Sequence, residues 1–466
     1  MKIVVVKRII FLLVFLLGYS AVNAADDLIT KQIIIKLDKA GTLPDKIGST
    51  KKNKITNLKI VGDVNGTDWG FIREMLGMDN FQSVGKGNLS VLDLSETKIV
   101  EGGIGYINSN SYPYAYYTKD NSLGTFAFVG CSGLTSLELP SGITSIEGEA
   151  FEGCSGLTRL ELPSGITSIG RSAFNGCSGL TRLELPSGIT SIESGVFEGC
   201  SGLASLELPS GITYIGPAAF ASCSGLSSLE LPSGITSIEF NTFHGCSGLT
   251  SLAIPSGVTS IGRSAFNGCS GLTSLELPSG ITSIEEEAFE GCSGLTSLAL
   301  PSGVTSIDDD VFQGCSGLTS LAIPSGVTSI GNNAFYGCSG LTSLAIPSGV
   351  TSIGYNAFSC SGLSSISVNW ETPPSIDSSV FYEVDKQKCT LYVPKGTFQD
   401  YWLADVWGDF ENIVEYDVTG VDNVTTSTDA KEISRYSVNG QRLSAPTKGL
   451  NIVKYSDGSV KKVAVQ

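Results

Sequence analysis

The chain has 466 residues, of which 41% are hydrophobic and 16% are charged, and its net charge is −16. Nearly all of this charge lies between Cys131 and Cys360, where four arginines, no lysine and 19 acidic residues leave a net charge of −15. Such an acidic surface repels nucleic acid and anionic lipid, which leaves basic proteins or divalent cations as candidate partners. The alternative is an acidic coat that only keeps the protein soluble.

Residues 1–24 predict a secretory signal peptide. Lys2, Lys7 and Arg8 form a basic start, and the apolar run over 9–17 is too short to span a bilayer. The small residues at 22–24 fit a cleavage site, so we expect an exported protein, either secreted or on the outer surface of the cell. A lead-in segment follows over 25–54, and no later stretch of sequence predicts a membrane span.

A 23-residue repeat fills residues 131–362. Cys131 recurs every 23 residues as far as Cys338 and once more, after a one-residue deletion, at Cys360. A fixed period of this length predicts a solenoid. Since stacked repeats form an extended surface, we expect function to lie on that surface and not in an enclosed pocket.

Each repeat predicts two short extended segments and a turn. In the repeat that begins at Leu134, the LxxLxL pattern ends with period two and indicates a strand. A Pro-Ser-Gly turn closes that strand, a second extended run begins at Ile143, and Ala150-Phe151 predicts a single helical or 3-10 turn. The residues expected to point inward are Leu134, Leu137, Leu139, Ile143, Ile146, Ala150, Phe151 and Cys154.

The repeated cysteines suggest disulfides in an exported protein, but geometry opposes that interpretation. Side chains in register on neighbouring parallel strands keep their Cβ atoms ~5 Å apart, which is farther than a disulfide allows. A zinc site is also disfavoured, because no histidine accompanies the cysteines and no CxxC pair occurs. We therefore expect a column of buried free thiols.

The segment LTSLELPSGITSIEGEAFEGCSGL at 134–157 resembles the BspA-type leucine-rich repeats of bacterial, Bacteroidetes-like surface proteins. The resemblance extends to N-terminal capping repeats over 55–130, which carry a Tyr-rich insertion, and to a C-terminal capping repeat over 363–416. In these caps Asp68 is expected to cap a helix over 69–76, and Trp402, Trp407 and Phe410 are expected to cover the last repeat. The inward positions of the N-terminal cap are expected to be Leu58, Ile60, Leu89, Leu92 and Leu94.

The resemblance implies a leucine-rich repeat solenoid that is mainly β, with short helical or 3-10 turns, a parallel sheet along one side and a cap at each end. Residues 417–434 predict a linker. Residues 435–466 predict a small basic β unit, with hairpin turns at 439–440 and 457–458. This unit resembles the sorting or attachment segments of exported Bacteroidetes proteins, and a simple β appendage is the alternative.

Catalysis is not expected from this sequence. An enzyme needs convergent groups in a pocket, and the single histidine, His244, occupies a position that varies freely among the repeats. The sequence contains no GxSxG elbow, phosphate loop or HExxH motif. We therefore expect a protein that is not an enzyme and has no cofactor, with calcium as the one exception considered below.

Outward positions between the inward leucines form an acidic column in the first half of the array. Arg159 and Arg182 stand two residues before acidic members of this column. Like charges on adjacent strands repel each other, so a basic partner would relieve the repulsion among these glutamates. The alternative is a solvated row screened by salt. The column comprises Glu138, Glu161, Glu184, Glu207, Glu230 and Glu276, with alanine at 253, 299, 322 and 345.

Two acidic triplets lie 23 residues apart and are therefore expected on consecutive turns. Their six carboxylates predict a calcium site, because Ca²⁺ takes six to eight oxygen ligands. The alternative is an exposed acidic surface, since no rigid calcium-binding loop frames the triplets. The triplets are Glu285, Glu286, Glu287 and Asp308, Asp309, Asp310.

Aromatic residues interrupt the repeat at four positions and are candidate binding anchors, namely Tyr214, Phe240, Tyr336 and Tyr355. The insertion over 105–122 adds five tyrosines that either bind ligand or pack over the first repeat. Together these features predict a secreted or surface protein that binds an extracellular protein or glycan, and the resemblance implies adhesion. The alternatives are glycan capture for nutrition and a structural envelope component without a dedicated ligand.

Overall fold

The structure is a computed structural model that describes residues 28–79, 82–83, 87–107, 115–417, 432–437, 442–446, 448–455 and 460–465. The predicted signal peptide, Tyr112, Tyr114, residues 418–431 of the predicted linker and both predicted C-terminal hairpin turns lie outside the described residues. The chain divides into two compact units, Met1–Gly257 and Val258–Gln466. In each unit the repeats form a parallel β-solenoid, which confirms the predicted fold class.

Each solenoid turn contributes two short strands, so two strand series run along the repeats. Parallel pairing joins equivalent residues of successive turns, such as Arg159 with Arg182 and Ser145 with Ser168. In unit 1 the first series comprises Ser136–Glu138, Arg159–Leu160, Arg182–Leu183, Ser205–Leu206, Ser228–Leu229 and Ser251–Ala253. The second series in unit 1 comprises Ser122–Leu123, Ser145–Ile146, Ser168–Ile169, Ser191–Ile192, Tyr214–Ile215 and Ser237–Ile238.

Unit 2 contains two equivalent strand series. Its first series comprises Ser274–Glu276, Ser297–Ala299, Ser320–Ala322, Ser343–Ile346, Ser365–Val368, Thr390–Pro394 and Asn412–Tyr416. Its second series comprises Ser260–Ile261, Ser283–Ile284, Ser306–Ile307, Ser329–Ile330 and Ser352–Ile353.

The interior matches the predicted pattern. All eight residues expected to point inward in the repeat that begins at Leu134 are buried. One column of that interior consists of phenylalanine rings, which stack in unit 1 from Phe128 to Phe243 with centroids 5.1 to 5.8 Å apart. Unit 2 contains an equivalent stack from Phe266 to Phe381. Offset aromatic contacts of this kind add stability beyond the burial of apolar area.

The segment around Ala150 and Phe151 is a hydrogen-bonded turn and not a helix, which corrects one version of the prediction. Phe151 N donates to Ala173 O of the next repeat at 2.8 Å, and Gly153 N donates to Asn175 O at 2.7 Å. A helix would direct these N–H groups to carbonyls four residues earlier in the same segment. The solenoid uses them to join successive turns instead.

The cysteines are buried free thiols, as predicted. In most repeats the thiol donates to the carbonyl oxygen of the stacked phenylalanine one turn earlier, whereas Cys131 Sγ contacts Val129 O. Cys154 Sγ lies 3.2 Å from Phe128 O, and Cys177 Sγ lies 3.1 Å from Phe151 O. The column therefore supplies a small apolar side chain together with a weak inter-turn hydrogen bond.

The N-terminal cap of unit 1 extends the first strand series with longer strands. Strand Ile33–Lys36 pairs with Asn57–Val64, which pairs with Val91–Ile99, and the last pairs with Ser136–Glu138. The five predicted inward residues of this cap are all buried. The remaining elements of the cap are the helices Leu43–Ile47 and Gly66–Met75 and the strands Met78–Asp79, Gln82–Ser83, Gly102–Ile107 and Tyr116–Thr118.

The expected role of Asp68 requires correction. Helix Gly66–Met75 has Asn65 as its N-cap, and Asp68 is the third residue of the helix, where its carboxylate accepts from Asn65 N. The same carboxylate accepts from Gly41 N at 2.6 Å and Leu43 N at 2.9 Å. Asp68 thus completes a capping box and also ties a preceding loop to the helix.

The C-terminal cap contains helix Phe398–Leu403 and a 3-10 turn at Trp407–Asp409. Trp407 and Phe410 are buried, and both rings contact Phe381 at the end of the phenylalanine column. Trp402 is 55% exposed, so its predicted role in covering the last repeat is wrong. Trp402 lies on the solvent-exposed side of the helix, while Tyr401 is buried beside Trp407.

The C-terminal β unit is an antiparallel sheet of four strands, Glu432–Ser437, Arg442–Leu443, Gly449–Tyr455 and Val460–Val465. This finding agrees with the small β unit predicted for the end of the chain. Among the described residues the longest helix has ten residues, and none has the length and apolar character needed to cross a membrane.

Candidate functional site

The acidic strip is an exposed row of carboxylates on the first strand series of unit 1. Parallel bridges place Glu138 directly beside Glu161, and Glu184 directly beside Glu207. Their side chains face solvent because the alternate residues of each strand, the leucines, point into the core. The strip comprises Glu138, Glu161, Glu184, Glu207 and Glu230, all of which are exposed.

Two arginines interrupt the negative charge of the strip. Arg159 and Arg182 are neighbours across a parallel strand pair. Arg159 Nη2 lies 2.7 Å from Glu161 Oε1, and Arg182 Nη2 lies 2.6 Å from Glu184 Oε1. These four side chains line a shallow hollow with a volume of about 190 Å³. Exposed pairs of this kind contribute little to stability, so the arginines offset the strip's charge only locally.

The first strand series of unit 2 is nearly neutral. Glu276 is exposed on its strand, as predicted, but the equivalent positions on the next three turns carry alanine. Ala299 pairs in register with Ala322, which leaves a surface of small side chains. The acidic strip therefore belongs to unit 1, and Glu276 is an isolated carboxylate on unit 2.

The structure does not assemble the six carboxylates of the predicted calcium site. Arg263 Nη2 lies 2.7 Å from Glu287 Oε1, and the Arg263 side chain also contacts Glu286. On the following turn, Asp309 accepts two hydrogen bonds from Asn332. Among the described residues, no group of three or more acidic, cysteine or histidine side chains is arranged to hold a metal ion.

The physical reason is that the carboxylates of the two triplets have different partners. In the middle of each triplet, Glu286 contacts Arg263, and Asp309 accepts from Asn332. The third residues, Glu287 and Asp310, have left-handed backbones with φ of 59° and 60°. Partial burial, together with the charges of nearby carboxylates, raises the pKa of Asp310. The triplets thus form an ordinary polar network that joins successive turns.

The four aromatic residues that interrupt the repeat are all exposed, but they do not form one group. Tyr214 lies on the second strand series of unit 1, and Phe240 lies on a turn of unit 1. Tyr336 and Tyr355 lie on consecutive turns of unit 2. The structure adds Tyr382, which is 77% exposed and which the sequence analysis missed. Its spacing of 46 residues from Tyr336, two full repeats, is the signal that could have revealed it.

The Tyr-rich insertion packs in part over the first repeat, in line with one of the two predicted alternatives. Tyr106 is buried and its hydroxyl donates to Thr125 O at 2.6 Å. Burial raises the pKa of Tyr106 well above its usual range. Tyr116 makes an edge contact with Phe126 at 5.0 Å, whereas Tyr117 is exposed. The described part of the insertion is therefore mainly structural.

The buried cysteines and the single histidine do not favour nucleophilic chemistry. Burial raises the pKa of Cys177 and of Cys246 from the ordinary 9.0 to about 12, so both thiols stay protonated at neutral pH. His244 is partly buried on a turn, and its backbone N–H donates to Asn241 O. The geometry thus defines an open solenoid of the leucine-rich repeat class, in which each unit has an exposed strand face.

Comparison with known proteins identifies the family within this class. Residues 121–248, 215–316 and 282–402 match the model of the BspA type leucine rich repeat region, in six copies. Because these ranges cover more than half of the chain, the protein belongs to the BspA-type leucine-rich repeat family. No curated protein gives a significant match.

Several solved structures are similar to this chain. A leucine rich repeat protein of T. pallidum is 34% identical, with a TM-score of 0.32 over 34% of this chain and 76% of its own. A leucine rich cell surface protein of Faecalibacterium prausnitzii A2-165 is 26% identical, with a TM-score of 0.43 over 67% of this chain and 86% of its own. A leucine-rich repeat protein of Bacteroides ovatus ATCC 8483 is 24% identical, with a TM-score of 0.35 over 59% and 88%.

Proposed function

We propose that this protein is exported and acts as a secreted or cell-surface binding protein, in which the acidic strip of unit 1 contacts a basic extracellular protein. Adhesion to another cell or to matrix is the process that such a contact would serve. The observation that carries the proposal is the register of the strip. Glu138 stands beside Glu161, and Glu184 beside Glu207, on adjacent strands that face solvent.

This register has an energetic consequence. Carboxylates on adjacent parallel strands are separated by ~4.8 Å of backbone, and like charges at that spacing repel each other. Arg159 and Arg182 partly offset this negative charge, and each forms an ion pair with one glutamate of the strip. Lysine or arginine side chains of a partner would relieve the repulsion and add exposed ion pairs. Charge complementarity also accelerates association, most strongly at low ionic strength.

Neutralisation of the strip tests the proposal. The variant Glu138→Gln/Glu161→Gln/Glu184→Gln/Glu207→Gln removes four charges from exposed positions without altering side-chain size. The loss of four exposed ion pairs should weaken binding to purified basic matrix proteins about tenfold or more, as measured by biolayer interferometry. The effect should shrink at high salt, where exposed charges are screened.

The matched control changes the same net charge elsewhere. Glu371→Gln, Glu383→Gln, Glu411→Gln and Asp400→Asn also remove four exposed carboxylates, all from the C-terminal cap. This control should bind like the unmodified protein. Equal affinities of the strip variant and the unmodified protein, or equal losses in strip variant and control, would exclude the strip as the contact surface.

For the C-terminal β unit over 435–466 we propose a sorting or attachment role, on the basis of its basic composition and its separation from the capped solenoid by the predicted linker. Removal of residues 435–466 should move the protein from the cell-surface fraction to the culture medium. An unchanged distribution between these fractions would contradict the proposed role.

A further inference from the structure

Three exposed tyrosines lie on three successive turns of unit 2, with Tyr336 and Tyr382 at the same repeat position and Tyr355 four residues before that position on the turn between them. Tyr336, Tyr355 and Tyr382 are 37%, 62% and 77% exposed. Backbone hydrogen bonds hold their segments side by side, from Asn333 N to Tyr355 O at 2.8 Å and from Phe358 N to Val380 O at 3.0 Å. We call this set, together with Asn332, Asn333 and Asn356, the tyrosine edge.

The amides of the tyrosine edge have fixed orientations. Asn332 Oδ1 accepts from Tyr355 N at 2.9 Å, while Asn332 Nδ2 donates to Asp309 Oδ2 at 3.0 Å. Asn356 Nδ2 donates to Asn333 Oδ1 at 3.2 Å. An amide NH₂ group has two protons, and each of these contacts uses one. Each of these two amides therefore has a second N–H proton that the contacts named here do not use.

The charge of the edge changes where the tyrosines begin. The two preceding turns carry the triplets 285–287 and 308–310, whereas the same positions on the next two turns are Gly-Asn-Asn at 331–333 and Gly-Tyr-Asn at 354–356. On the turn of Tyr382, Asp377 is engaged by Ser379, whose N–H and hydroxyl both donate to the carboxylate. A basic peptide would therefore favour the acidic turns or the strip. The turns of Tyr336 and Tyr355 are uncharged and suit an uncharged ligand, whereas the turn of Tyr382 also carries the exposed carboxylates of Asp377 and Glu383.

We propose that the tyrosine edge binds a neutral glycan. A sugar ring presents an apolar face of C–H groups, which packs on an exposed tyrosine ring, and hydroxyls at its rim, which bond to oriented amides and to the tyrosine hydroxyls. Three rings on successive turns match a ligand that is itself a repeating chain. This surface lies on unit 2 and uses no residue of the acidic strip on unit 1.

The test uses the full chain and affinity gel electrophoresis in gels that contain a neutral β-glucan, mannan or xylan, with a sulfated polysaccharide as the charged comparison. At least one neutral polysaccharide should retard the protein. Since anchor residues dominate binding energy, Tyr355→Ala/Tyr382→Ala should raise the dissociation constant for the polysaccharide about tenfold or more. Both side chains are exposed, so the thermal unfolding temperature of the variant should match that of the unmodified protein.

Two further variants make the result specific. Tyr355→Phe/Tyr382→Phe keeps both rings and should retain most of the binding, while Tyr214→Ala removes an exposed tyrosine from unit 1 and should have no effect. Retardation by no neutral polysaccharide, or equal retardation of the double alanine variant, would overturn the proposal. Loss of binding to a basic protein in that variant, without any glycan binding, would assign the edge to a protein partner and also overturn it. The strip variant should bind glycan normally, which separates this inference from the proposed function.

Discussion

The buried thiols predict that the protein loses stability steeply at alkaline pH. Burial raises the pKa of Cys177 and Cys246 from 9.0 to about 12 in the folded protein. A thiol is neutral when protonated, so above pH 9 the unfolded chain releases protons that the folded chain retains. The unfolded state then binds fewer protons, and the free energy of unfolding falls as pH rises from 9 towards 12. Below pH 9 these thiols add no pH dependence.

The magnitude follows from the two pKa values. One pKa unit corresponds to about 1.4 kcal/mol, so at pH 10 each of the two thiols lowers the free energy of unfolding by about 1.4 kcal/mol relative to pH 7. The pair together contributes about 3 kcal/mol. The double variant Cys177→Ala/Cys246→Ala lacks both ionisations. At pH 7 this variant should be less stable than the unmodified protein, because two buried side chains are smaller. Between pH 7 and 10, however, its free energy of unfolding should fall by about 3 kcal/mol less than that of the unmodified protein.

Urea unfolding followed by circular dichroism, with reductant present, measures both free energies at the two pH values. Tyrosine and lysine ionisation affects the unmodified protein and the variant alike, so the difference between the two pH-dependent losses isolates the two thiols. If both proteins lose the same free energy between pH 7 and 10, the reasoning from buried, protonated thiols is wrong. Restoration of one cysteine should restore about half of the difference.

Two further changes test the packing of the turns. Phe289→Leu keeps an apolar side chain but removes ring contacts with Phe266 at 5.5 Å and Phe312 at 5.7 Å, so urea unfolding should show a loss of about 1–3 kcal/mol. A loss below about 0.5 kcal/mol would show that stacking adds nothing to burial. Ala218→Gly should raise the urea midpoint, because Ala218 has a φ of 55° and the relief of left-handed strain, about 1–2 kcal/mol, exceeds the entropy cost of glycine. Gly195→Ala should lower the urea midpoint. Gly195 lies one turn earlier at a φ of 65°, and Ser172 Oγ would lie 3.0 Å from the added Cβ. Midpoint shifts of the same sign in both variants would contradict this account.

Much of the interior could be predicted because each inward position depends on local spacing. The alternation around Leu137 places leucines inside and glutamates outside, independently of how neighbouring turns pack. The buried cysteines likewise followed from strand spacing, which is incompatible with disulfides. The position of Trp402 could not be predicted, because which side of a six-residue helix faces the last turn depends on how the cap docks.

The sequence by itself determined the repeat, the inward columns and the exposed acidic positions, because a 23-residue period repeats the same local chemistry in every turn. Only the tertiary structure decided which groups meet between turns. It showed that Phe151 N bonds to the next turn and that Asp68 binds the N–H groups of Gly41 and Leu43. It also replaced the expected calcium cluster with contacts to Arg263 and Asn332, and it showed that Tyr382 is exposed on the turn after that of Tyr355. These contacts depend on backbone direction and inter-turn register, which join residues far apart in the chain.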